Sequence, residues 1–135
     1  FDWASEENQD LYARFTARSV DAVDALLARH RIARDRVVFV VEPNAFIYPA
    51  MPHTRRDFRQ LLHGLDGKRL DAADSAAITR RYDDIYARIV GERFTVIRAD
   101  KFPFEAASFY DAVHMSPSGA QVMAEHLACL LYTSD

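Results

Sequence analysis

Apolar residues recur at helical spacing in three stretches of the chain, which predicts three amphipathic helices. The first runs from about Glu6 to His30, with charged residues on its other faces. The second begins at Asp74 or Ser75 and ends at Gly91, since glycine is a common stop signal. Its apolar stripe consists of Ile78, Tyr82, Ile85 and Ile89.

The third helix follows Ser116 and Pro117 near the end of the chain. Serine is a favoured capping residue, and proline suits the first helical position. An alanine-rich sequence follows, which predicts an inner stripe of Ala120, Met123, Ala124 and Leu127. A shorter helix is predicted between Thr54 and Leu62.

Two β-rich runs lie between these helices. Val37 to Val41 is continuously apolar, which is typical of a strand buried on both faces of a parallel sheet. Phe94 to Ala99 predicts a second strand. Strands joined through helices pair in parallel by right-handed crossovers, so the order of elements predicts an α/β layered fold with a parallel sheet.

Composition and charge limit the function classes that fit the chain. Its 135 residues are 50% hydrophobic, which predicts one globular domain. A net charge of -3 with interspersed signs argues against nucleic-acid binding, and no apolar run has the length of a transmembrane segment. The single cysteine, Cys129, excludes an internal disulfide, and no histidine pair has metal-ligand spacing. We therefore expect no metal and no other cofactor.

The segment from Phe109 to Ala120 contains the candidate chemistry. Asp111 precedes His114 by three residues, between the last strand and the capped helix, where open α/β sheets bind ligands. At that spacing the carboxylate can reach one ring nitrogen and leave the other to accept a proton from a serine hydroxyl. Asp111 and His114 are therefore the predicted catalytic residues.

This segment resembles the last conserved block of the SGNH/GDSL hydrolase family, an Asp-x-x-His followed by a short turn, a glycine and the C-terminal helix. In order and spacing of elements the resemblance extends over most of Asp10 to Ala128. It implies a flavodoxin-like three-layer α/β/α fold with a parallel sheet. It also implies that Asp111 orients His114, the general base.

The family's nucleophilic serine and oxyanion-hole residues belong to earlier blocks, and no Gly-Asp-Ser or Gly-x-Asn-Asp occurs in this chain. The other serines are better explained by capping or solvent exposure: Ser5, Ser19, Ser75, Ser108, Ser116 and Ser118. We interpret Asn44 as part of the turn that leaves the first strand. The nucleophile is expected upstream of Phe1.

Two strands are too few for a stable parallel sheet, so the N-terminal strands are also expected upstream of Phe1. One edge of the short sheet would then be uncovered and apolar. We expect a single partial domain over residues 1–128. Residues 129–135 resemble the translation of a transposon-end sequencing adapter, which predicts a non-native tail, unless Leu130 and Leu131 simply complete the last helix.

The resulting hypothesis is a fragment of a serine esterase or lipase that cleaves acyl esters, acetyl esters among them, of small molecules, lipids or carbohydrates. By itself the fragment should be inactive. Two alternatives remain open on the sequence. One is an O-acyltransferase of the same family that transfers the acyl group to a carbohydrate; the other is a non-catalytic α/β binding module in which Asp111 and His114 only brace a loop.

Overall fold

The computed structural model describes residues 2–47, 72–111 and 113–132, and within them helices predominate over a small parallel sheet. Their α-helices are α1 (Glu6–Arg29), α2 (Ala72–Gly91) and α3 (Pro117–Tyr132), and their strands are β1 (Val38–Val40) and β2 (Thr95–Ile97). The three long helices, both strands and their parallel pairing are confirmed. The helix predicted at Thr54 to Leu62 lies outside the described residues.

Helix α1 has well-defined caps at both ends. The Ser5 hydroxyl accepts a hydrogen bond from the backbone N–H of Asn8 at 3.2 Å, which satisfies one free donor of the first turn. At the other end the N–H of Ile32 donates to the carbonyl of Leu27 at 2.9 Å. Arg31 takes the left-handed conformation (φ 55°) that glycine usually occupies at this position. The caps fix where α1 begins and ends.

The sheet pairs Phe39 with Val96 in parallel register, and the N–H of Val41 donates to the carbonyl of Ile97 at 2.9 Å. The expectation that β1 is buried on both faces is wrong. Consecutive side chains of a strand point to opposite faces, and the helices pack on the Phe39 face. Val38 and Val40, on the other face, each remain 36% exposed.

The described residues form two compact units, the first comprising residues 2–41 and 80–98. The core of this unit consists of Val20, Ile89, Val90 and Phe94. The partly buried Phe39 packs against this core, with its ring 5.0 Å from that of Phe94. Tyr82, predicted on the apolar stripe of α2, instead makes edge contacts with the rings of Trp3 and Tyr12.

The second unit comprises residues 42–47, 72–79, 99–111 and 113–132. Its core consists of Ala45, Phe104 and Phe109, with Met115, Val122 and Met123 packed around it. The predicted inner stripe of α3 is partly wrong, because Ala120 and Ala124 are exposed. Met123 and Leu127 are half-buried, as predicted. The buried Gly119 and the half-buried Val122 and His126 share their helical face.

Helix α3 continues to Tyr132, and the side chains of Leu130 and Leu131 are about half exposed. The helix therefore includes both leucines, and the origin of residues 129–135 stays a prediction. The single domain expected over residues 1–128 also stays a prediction. Within the described residues, no helix combines the length and the hydrophobicity that crossing a bilayer requires.

Candidate functional site

The Asp111 and His114 segment is a tight loop closed by backbone pairing. Phe109 and Met115 form an isolated antiparallel bridge, and the N–H of Tyr110 donates to the carbonyl of His114 at 2.8 Å. Phe109 is buried, and Met115 packs against the core of the second unit. Because side chains alternate along paired backbone, Tyr110 and His114 point away from that core, on one side of the loop.

The carboxylate of Asp111 makes three contacts. Its Oδ1 accepts hydrogen bonds from the backbone N–H groups of Val113 at 2.9 Å and His114 at 2.8 Å. Its Oδ2 lies 2.6 Å from Nδ1 of His114. Aspartate commonly binds the backbone two or three residues ahead in this way. The contact that the Asp-x-x-His spacing predicts is therefore present, held by two backbone bonds.

The imidazole of His114 is oriented but open to solvent. With Nδ1 protonated, that nitrogen donates to Asp111, and the lone pair of Nε2 is available to accept a proton. No hydrogen bond from another described residue reaches Nε2. The side chain of His114 is 74% exposed and that of Asp111 is 40% exposed. The dyad is thus accessible to a reacting group.

The environment of Asp111 favours its charged form. The hydrogen bond with His114 is the largest cause, followed by the backbone bonds from Val113 and His114, and together they lower the pKa of Asp111 to about 2. The carboxylate therefore stays ionised throughout the neutral range. An ionised acceptor beside Nδ1 favours the tautomer in which Nε2 is unprotonated.

The loop rests on a close approach between Gly119 and Ser108. A Cβ atom on Gly119 would lie 2.0 Å from the backbone oxygen of Ser108, so only glycine fits there. The Ser116 hydroxyl accepts the N–H of Gly119 at 3.3 Å, which confirms Ser116 as the cap of α3. The N–H of Ser116 also donates to the carbonyl of Ser108 at 2.9 Å. These contacts fix the start of α3 beneath the loop.

Among the described residues, the serines whose hydroxyl groups form hydrogen bonds have structural roles. Ser5 caps α1, Ser19 donates to a carbonyl of its own helix, and Ser108 accepts the N–H of Glu105. The hydroxyls of Ser116 and Ser118 both donate to the carbonyl of Ala107. None of these described hydroxyls bonds to His114. Ser75 lies buried in α2.

The structure also describes three polar residues outside the loop: Asn44, His30 and His126. Asn44 lies in the turn between β1 and the short 3-10 turn Ala45–Ile47, as the sequence predicts. His30 is the C-cap of α1, which confirms the prediction that the first helix ends at this residue. The helical pattern predicts His126 on the outer face of α3, but it is half-buried, and its ring lies 5.0 Å from that of Phe102. Phe102 provides an apolar neighbour that the helical pattern does not reveal.

Metal binding has no geometric support in the described part of the chain. There, no three side chains among histidine, cysteine, aspartate and glutamate are arranged to hold an ion. His53 and His63 lie outside the described residues. The expectation that the protein needs no metal or other cofactor therefore stays a prediction.

The sequence pattern predicts no role for Tyr110, although the backbone pairing of the loop places it opposite His114. Its side chain is exposed, and it shares one side of the loop with the imidazole. The aromatic residue directly before Asp111 is the only signal that could have indicated this position.

The arrangement therefore comprises an ionised carboxylate and an oriented imidazole, with the exposed Tyr110 paired to His114 through the backbone. It can orient a general base. Comparison of the chain with protein-family models, with curated proteins and with solved structures finds no match.

Proposed function

We propose that this chain supplies the acid and base residues of an SGNH-type serine hydrolase that cleaves acyl esters. The observation that carries the proposal is the 2.6 Å contact between Asp111 Oδ2 and His114 Nδ1, with Nε2 directed to solvent-accessible space. An imidazole oriented by an ionised carboxylate is the proton relay that an alcohol nucleophile requires. The three-layer fold of that family belongs to the same proposal.

In this mechanism a serine hydroxyl attacks the ester carbonyl while His114 Nε2 takes its proton. Asp111 accepts the Nδ1–H bond and stabilises the imidazolium that forms. The imidazolium then protonates the leaving alcohol, and water hydrolyses the acyl-enzyme with His114 again acting as the base. The described serines have other hydrogen-bond partners or lie in helices, which supports a nucleophile outside the described residues.

The test measures hydrolysis of 4-nitrophenyl acetate by the complete protein and by variants at the dyad. His114→Gln should lower kcat/KM by about 10³-fold or more, because the proton relay is removed. His126→Gln is the matched control, since His126 belongs to the same unit but contacts Phe102 instead of Asp111. Equal activity of the two variants would remove His114 from the mechanism.

A second candidate function has its own support, because Asp111 Oδ1 accepts two backbone N–H groups and thus braces the loop. In a non-catalytic binding module this bracing would be the only role of Asp111. Asp111→Asn separates the two, since the amide oxygen can keep both backbone bonds while its NH₂ group opposes a protonated Nδ1. A hydrolase should lose about 10²- to 10⁴-fold in kcat with its fold intact. Unchanged activity of Asp111→Asn would remove Asp111 from the mechanism, and a complete protein without ester hydrolysis would leave only the bracing role.

A further inference from the structure

The connection between α1 and β1 is the most basic stretch of the described chain. Residues 29–36, called the basic segment below, contain four arginines and one aspartate, which gives a net charge of +3 with histidine neutral. The whole chain carries -3, so positive charge is concentrated here against the overall sign. Every residue of the basic segment is exposed. The segment therefore presents a compact positive surface to solvent.

Hydrogen bonds at both ends fix the conformation of the basic segment. The N–H of Ile32 donates to the carbonyl of Leu27, and Arg31 takes the left-handed conformation, which together close the end of α1. Arg34 pairs with Asp24 of α1 through two bonds, from Nε to Oδ1 at 2.6 Å and from Nη2 to Oδ2 at 2.5 Å. A paired contact of this kind has a defined geometry, so it ties the segment back to the helix.

Two exposed aliphatic side chains adjoin these charges. Ile32 lies in the middle of the basic segment and is 45% exposed, and Leu26, in the last turn of α1, is 54% exposed. The bond from the Ile32 N–H to Leu27 keeps Ile32 next to that turn. Aliphatic side chains among cationic ones are typical of protein surfaces that lie on a bilayer. There the aliphatic groups enter the headgroup boundary and the cations face anionic lipids.

We infer that the basic segment and Leu26 dock the chain on a bilayer surface that contains anionic lipids. The attraction comes from the three arginines of the segment that are outside the pair with Asp24: Arg29, Arg31 and Arg36. Each arginine near such a surface strengthens binding about fivefold, so three together give about a hundredfold. Ile32 and Leu26 add the transfer of aliphatic surface into the headgroup boundary. This docking does not depend on ester hydrolysis, so either proposal can fail alone.

Nucleic acid is the other polyanion with a charge complementary to the basic segment, and the aliphatic side chains argue against it. A nucleic-acid surface combines arginine contacts to phosphates with polar groups that read base edges or aromatic rings that stack on bases. Ile32 and Leu26 offer neither kind of group. A bilayer with anionic headgroups accounts for both the charge and the exposed aliphatic surface.

Co-sedimentation of the 135-residue chain with vesicles tests the docking. Phosphatidylcholine vesicles with about 30% phosphatidylserine should bind the chain at least about tenfold more tightly than vesicles of phosphatidylcholine alone. A triple variant replaces the three arginines that provide the attraction: Arg29→Gln, Arg31→Gln and Arg36→Gln. Its affinity for the anionic vesicles should fall about a hundredfold, because three cations are lost from the contact surface.

The matched control changes the net charge by the same amount at another place. It replaces three exposed arginines of the first unit that form no ion pair with another described residue: Arg14→Gln, Arg18→Gln and Arg88→Gln. Its affinity for the anionic vesicles should fall less than about fivefold, because these positions lie outside the contact surface.

A tryptophan at the centre of the segment tests the aliphatic contact. In Ile32→Trp, lipids brominated on their acyl chains should quench the added fluorescence when the anionic vesicles bind. In Tyr132→Trp, at a side chain that is 80% exposed in the second unit, the added fluorescence should stay unquenched. Any one of three results would overturn the proposal: equal losses in the two triple variants, no quenching in Ile32→Trp, or binding to a DNA duplex without binding to the anionic vesicles.

Discussion

The first unit and the Asp111 loop are stabilised by opposite kinds of contact. In the first unit, Val20 of α1 packs with Val90 of α2 and with Phe94, so the contacts join residues distant in sequence. In the loop, the described partners of Asp111 are only the residues two and three positions ahead, and these bonds are polar and exposed. Apolar burial thus stabilises the framework, whereas short-range hydrogen bonds set the geometry of the candidate site.

The difference indicates where a change should affect stability and where it should affect chemistry. A buried apolar side chain contributes through the area it removes from water and through close packing. A loop carboxylate at the surface contributes little free energy, but it determines which imidazole nitrogen is protonated. Framework variants should therefore change unfolding, and dyad variants should change catalysis without unfolding the chain.

The largest expected effect is the loss of an aromatic ring from the first core. Phe94 is 5% exposed and its ring contacts that of Phe39, so Phe94→Ala should reduce the free energy of unfolding by about 4 kcal/mol. Urea unfolding followed by circular dichroism measures the change. Phe15→Ala is the control, since Phe15 is 68% exposed and its loss should cost less than about 1 kcal/mol. Similar losses at both positions would contradict the assignment of this core.

The framework could largely be predicted from the sequence because its helices follow a regular apolar period. Ser5, Gly91 and Ser116 mark helix ends that the structure confirms within a few residues. The burial of β1 could not be predicted. Its continuous apolar run is typical of a covered strand, but coverage depends on neighbouring elements that the run itself does not specify.

The candidate site could also be predicted from the sequence only in part. The contact between Asp111 and His114 follows from a three-residue spacing and needs no distant partner. The support beneath the loop does not follow from local spacing, because Gly119 contacts the backbone of Ser108, eleven positions earlier. A glycine at a helix start has several possible explanations, so the sequence does not reveal this one. The contact of His126 with Phe102 could not be predicted either, because a polar residue such as histidine is expected on the outer face of a helix.

The second expected effect tests that support. Gly119→Ala places a methyl group against the Ser108 carbonyl, and the backbone must move, so we expect a loss of about 3 kcal/mol in the unit that carries the loop. Hydrogen exchange of residues 109–115 should accelerate accordingly. Gly91→Ala is the matched control, because its nearest contact would be 3.9 Å away, and it should be neutral or up to about 1 kcal/mol stabilising. Equal exchange rates in the two variants would rule out a supporting role for Gly119.

The smallest expected effect is a pH-dependent loosening of the loop alone. The pKa of Asp111 is about 2 in the folded chain and 3.8 without its contacts, so the folded state favours the ionised form. A carboxyl group whose pKa is lowered by folding stabilises the folded state at pH values above its unfolded pKa. This contribution is lost as the pH falls from about 4 through about 2. The amide resonances of Val113 and His114 should therefore shift with a midpoint near the lower value, while those of Val90 should not follow it. In Asp111→Asn this transition should vanish, because no carboxyl remains at the position. A wild-type midpoint near 3.8 would mean that the three contacts do not favour the carboxylate, and the loop would then lack the feature that distinguishes it from the framework.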